Sequence, residues 1–87
     1  MNIFILDGEF VYLGNGKKID SPLLGNSILI EEAYNIRRWG TTKNIGQLAT
    51  EGKQPNTILD YTGTITVPVG RVLQVLEMTE NAIKTFL

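Results

Sequence analysis

Cysteine and histidine are both missing from this chain of 87 residues. Without cysteine there is no disulfide staple and no thiolate metal site, which excludes the usual supports of very small secreted domains. Without histidine the chain loses the commonest general base, the imidazole metal ligands and every Ser/His or Cys/His nucleophile pair. Carboxylates and hydroxyls remain, but the acids are scattered singly except for Glu31-Glu32. Neighbours in a strand point to opposite faces, so that pair would not converge on one hard cation. The sequence reads as a non-enzyme with no metal and no cofactor.

Charge of one sign and long apolar runs are also lacking. Eight basic and nine acidic residues leave a formal net charge of -1, too little for a field that draws a protein onto DNA, RNA or a membrane surface. No apolar run reaches the length of a bilayer span, and Met1-Asn2-Ile3-Phe4 has neither the basic start nor the cleavage site of a signal peptide. A cytosolic protein is expected. A chain of this size has room for one domain, residues 1–87, whose core hides only ~60% of the surface exposed on unfolding. Stability must come from packing or from self-association.

What is present begins with β-prone runs. Met1 to Leu6 (MNIFIL) and Phe10 to Leu13 (FVYL) flank Asp7-Gly8, and an Asp-Gly step between hydrophobic runs predicts an N-terminal hairpin because both residues tolerate positive φ. Gly14 to Lys18 reads as a flexible tip and Asp20-Ser21-Pro22 as turn chemistry, so residues 14–26 are expected to form a loop. Asn26 to Glu32 resumes β character, and Tyr34 to Trp39 continues it after a bend at Ala33. Regular alternation would place Tyr34, Ile36 and Arg38 on one face and Asn35, Arg37 and Trp39 on the other.

Gly40 should break that strand. Asn44 to Glu51 has the marks of a short helix, with Asn44 as cap, Gln47 three residues on as a variant capping box, and Gly52 as its end. Ile45, Leu48 and Ala49 share the face that would dock on the sheet. Thr57 to Pro68 looks like a second hairpin turned near Tyr61-Thr62-Gly63, with Asp60 as turn former. Val72 to Met78 leans to a strand, and Thr79 could cap a final helical turn or two through Phe86. The fold class is α+β: a small, mostly antiparallel β-sheet or barrel-like domain with one short central helix and a short C-terminal helix.

The candidate site is the stretch Ile36 to Gln47 (IRRWGTTKNIGQ). Arg37 and Arg38 offer bidentate donation to phosphate, Trp39 a stacking face, and Thr41, Thr42 and Lys43 further donors at the start of a short helix. Gly40 would let the backbone approach a ligand. This mixture suits a phosphorylated, base-containing ligand, although Gly40-Thr41-Thr42-Lys43 has neither the order nor the glycine spacing of a Walker loop. If residues 34–39 alternate strictly, Arg37 and Trp39 part from Arg38, and all three serve one ligand only at a strand end, a bulge or a subunit interface.

At Arg37-Arg38-Trp39-Gly40-Thr41-Thr42-Lys43-Asn44-Ile45-Gly46 the sequence resembles a family of short bacteriophage and prophage proteins with a central Arg-Arg-Trp-Gly-Thr-Thr-Lys-Gly-Leu-Gly-like stretch. Leu48-Ala49, Thr57-Ile58-Leu59-Asp60 and Gly63 extend the likeness. Asn44-Ile45 departs from that pattern, as does Phe86 where relatives tend to carry Trp. The resemblance implies a phage origin and action in the host cytoplasm, where small accessory proteins often inhibit host defence. Besides a minor structural or assembly component of the virion, which would co-purify with particles, two functional expectations follow. One is a homo-oligomeric counter-defence protein that sequesters a nucleotide-derived immune signal, such as a cyclic nucleotide, without turnover. The other is a protein–protein inhibitor of a host enzyme, with Arg38 and Trp39 as anchors.

Overall fold

The computed structural model describes all residues, 1–87. Five strands form one antiparallel sheet in the order β4-β3-β2-β1-β5, from β1 (Asn2–Leu6), β2 (Val11–Ser21), β3 (Gly25–Arg38), β4 (Ile58–Pro68) and β5 (Val72–Glu77). Two short helices, α1 (Gly46–Thr50) and α2 (Glu80–Phe86), complete the α+β fold. The sheet is not closed, since no ladder joins its edges β4 and β5.

Those edges are nevertheless tied by only three residues, Val69–Arg71. In a flat sheet the edges would lie four strand spacings apart, roughly 19 Å. A link of four peptide steps reaches roughly 14 Å at most, so the sheet has to coil. The corner runs across three neighbouring strands at Gly14, Glu32 and Gly63. Register shifts fall between Leu13 and Asn15 on one side of β3 and around Ala33 on the other. Glu32 sits at φ 51 and Gly63 at φ 93. The left-handed residues in β3 and β4 bend the ladder without ending it.

This corner explains two departures from the sequence reading. Residues 14–21 are strand, not loop: a Cβ on Gly14 would lie 2.6 Å from Ile30 Cγ2, and one on Gly16 would lie 2.4 Å from Phe4 Cζ. These glycines serve close packing rather than flexibility. Likewise Thr57 to Pro68 is not a hairpin, because Gly63 pairs with Ala33 within the continuous β4. Asp60 sits in that strand, where its carboxylate holds Arg37 instead of turning the chain.

The remaining elements follow the sequence. β1 pairs with β2 from Asn2↔Gly14 to Ile5↔Val11 across an Asp7–Glu9 turn. Thr79 Oγ1 accepts from Ala82 N at 3.0 Å and caps α2. The coiled sheet encloses Phe4, Leu6, Ile30, Ala33 and Val67 on one side. On the other, Leu48 and Ala49 of α1 cover Ile3, Val11, Leu13 and Ile36. The two helical segments are locked together where Thr79 N donates to Ala49 O and Lys53 N donates to Thr85 Oγ1.

Candidate functional site

The central stretch divides at Gly40. On its N-terminal side, β3 ends in a bulge: Ile36 pairs with Leu59 and Arg38 with Ile58, leaving Arg37 as the extra residue. Strict alternation therefore fails at the arginines. Arg37 Nε donates to Asp60 Oδ2 at 2.7 Å, and Nη2 to Oδ1 at 3.4 Å. The pair is solvent-exposed, worth ~0 to 1 kcal/mol, and it takes one of the two bidentate edges of the guanidinium while offsetting its charge. Arg38 is exposed and forms no ion pair.

Trp39 is 42% exposed. Its carbonyl accepts from the buried Thr57 Oγ1 at 2.7 Å, which fixes the strand end. Trp39 lines a cleft of about 580 Å³ together with Ile5, Leu6, Val11, Leu73 and the Asp7–Glu9 turn. Leu73 is 65% exposed. It is the bulged residue of β5, since Ile5 pairs with Gln74 and Leu6 with Val72. The charged residues of the cleft are Asp7 and Glu9. Arg71 Nη1 engages Asp7 at 2.6 Å, whereas Glu9 forms no ion pair.

Gly40 has φ 67, and a Cβ there would lie 2.3 Å from Asn56 C and 2.5 Å from Thr57 N. The close neighbour that requires glycine is thus the chain's own backbone, not a ligand. Beyond it, Thr41 to Lys43 spend their polar groups internally. Thr41 Oγ1 donates to Lys43 O. The N–H groups of Thr42 and Lys43 donate to Oε1 of the buried Gln47 at 2.9 and 3.1 Å. Asn44 Oδ1 accepts from Gly46 N at 2.9 Å.

The helix is thus shorter than the sequence suggests: α1 starts at Gly46, after an Ile45 of helical backbone that gives no side-chain cap, and the expected capping box does not form. Asn44 instead closes the turn ahead of α1, and Gln47 reaches back past it to Thr42 and Lys43. Lys43 Nζ, in turn, pairs with Glu51 Oε2 at 2.8 Å. The hydrogen bond from Lys43, followed by one from Gln47, holds the Glu51 carboxyl below its ordinary 4.5. With these donors engaged, the start of α1 is a self-satisfied turn rather than an open anion cradle.

The structure thus brings Trp39 to Leu73, Ile5 and Val11, and separates it in role from Thr41, Thr42 and Lys43. Sequence reasoning did not single out Leu73, because its placement depends on a bulge in β5 and no local signal marks one. No group of three or more carboxylates converges anywhere in the chain, and no helix is long and apolar enough to cross a membrane. No family model matches the chain, and neither does any curated protein or solved structure.

Proposed function

We propose that this protein acts by binding without turnover, and that its contact surface is the cleft between Trp39 and Leu73, which receives an apolar anchor of a partner protein. The observation that carries this reading is a cleft lined by a partly exposed Trp39, an exposed Leu73 and the apolar side chains of Ile5, Leu6 and Val11. Glu9 at the rim favours an anchor flanked by a basic group. In the phage setting that the sequence resemblance implies, the partner is a host enzyme and the outcome is its inhibition.

A nucleotide signal remains the second reading. Arg38, exposed and unpaired beside Trp39, supports it. Against it stand the carboxylates of Asp7 and Glu9 in the cleft, which would repel phosphate, and the prior engagement of Arg37 and Lys43. The unpaired edges β4 and β5 also favour a homo-oligomer, which sedimentation would reveal as a mass above that of one chain.

Affinity capture from host lysate tests the two readings together with calorimetric titration of cyclic di- and trinucleotides. A protein held by the wild type, lost with Trp39→Ala and Leu73→Ala, and kept with Arg37→Ala supports the first. Heat from a nucleotide, abolished by Arg38→Ala, would replace it with the second. Absence of both capture and heat would remove the binding role.

A further inference from the structure

At the opposite end of the helix-covered face lies a second, smaller pocket of about 240 Å³. Its lining comprises the buried Leu13, three aromatic residues from three elements (Tyr34 of β3, Tyr61 of β4 and Phe86 of α2), Glu32, and the terminal residues Met1 and Leu87. Tyr34 and Tyr61 are cross-strand partners. Their ring centroids are 5.2 Å apart and their planes meet at 65°. Two aromatic planes inclined in this way present a corner of π surface rather than a flat stack, and Phe86 lines the same pocket.

Glu32 stands at this pocket and forms no ion pair. No lysine or arginine lines the pocket. Its backbone is left-handed, φ 51, a conformation that costs a glutamate more than it would glycine. The corner of the sheet thus delivers a carboxylate to the rim of an aromatic box. Faces of phenol and phenyl rings carry negative potential, and a nearby carboxylate adds to it, so the chemistry complementary to this pocket is a soft, weakly hydrated cation.

We propose that Tyr34, Tyr61, Phe86 and Glu32 form an aromatic cage for an alkylated ammonium head group. The methyl groups of such a cation lie against the rings and share its charge, while Glu32 supplies the counter-charge. A primary ammonium fits less well, because it surrenders strong hydration that rings cannot replace. A guanidinium is planar and leaves a three-walled corner partly empty. The same head group occurs on free choline-like molecules and on methylated lysine side chains. This proposal is independent of the Trp39 cleft.

Solution NMR of the full chain tests it, following the ring resonances of Tyr34 and Tyr61 during titration with tetramethylammonium, choline and a trimethyl-lysine peptide. The control is the neutral carbon isostere of choline, in which a tert-butyl group replaces trimethylammonium. Saturable shifts are expected with the cations, with the isostere roughly tenfold weaker. Tyr61→Leu, at an exposed position, should keep the sheet spectrum and weaken cation binding by roughly tenfold. Glu32→Gln should weaken it without affecting the isostere. Tighter binding of the peptide than of choline assigns the head group to a side chain, and the reverse assigns it to a small molecule. Equal affinity for the isostere, or no ring shifts with any cation, would overturn the proposal.

Discussion

Two halves of one chemically rich stretch behave in opposite ways. Arg38 at the end of β3 and Trp39 just past it stay exposed or partly exposed, whereas Gly40 to Gln47, just as rich in donors, is closed upon itself. Gly40 packs on the Asn56–Thr57 backbone, and Gln47 consumes the N–H groups of Thr42 and Lys43. Both halves look like ligand chemistry in a linear reading. What separates them is whether each polar group has found a partner in the fold, and that depends on residues distant in sequence, such as Thr57 and Asp60.

The comparison can be broken by substitution, and the largest effect is expected at Gly40. Gly40→Ala introduces both left-handed strain and a backbone clash, so a loss of roughly 3 kcal/mol or more is expected in urea unfolding. A loss below ~1 kcal/mol would mean that the turn can move aside. Next comes Gln47→Leu, which keeps the buried volume but leaves two N–H groups without their acceptor. It should cost about 1–3 kcal/mol in the same measurement. If stability is unchanged, those N–H groups find water and the closed half is less closed than described.

Smaller effects belong to the surface pairs. Arg37→Ala should change stability by no more than ~1 kcal/mol, since the Arg37–Asp60 pair is exposed. The smallest effect is a pH dependence. The folded Glu51 carboxyl titrates below its ordinary 4.5, so its favourable contribution is complete above that value and is lost as pH falls through the folded value. Lys43→Ala removes the leading cause, and the acid limb of the stability profile should shallow accordingly. An unaltered acid limb would show that Glu51 does not sense Lys43.

Much of the fold was legible because local chemistry and tertiary role agreed. Asp7-Gly8 turned the first hairpin, Thr79 capped α2, and Leu48 and Ala49 buried the expected helix face. Reading failed where one residue type serves two purposes. Gly14, Gly16 and Gly63 are turn formers by composition, yet here they permit a sheet corner and the approach of Ile30 and Phe4. The candidate site was legible at Trp39, whose isolation in the sequence invited attention. Its cleft partners were not, because Leu73 reaches it through a bulge in a strand added at the far edge of the sheet.

Trp39 is the single tryptophan of the chain, so its fluorescence, excited selectively over the tyrosines, reports on the proposed contact surface. In the free protein its emission should be red-shifted and readily quenched by acrylamide, and addition of a captured partner should shift it to the blue and protect it. A native emission already blue and shielded in the isolated single chain would place the indole inside the core and contradict the account.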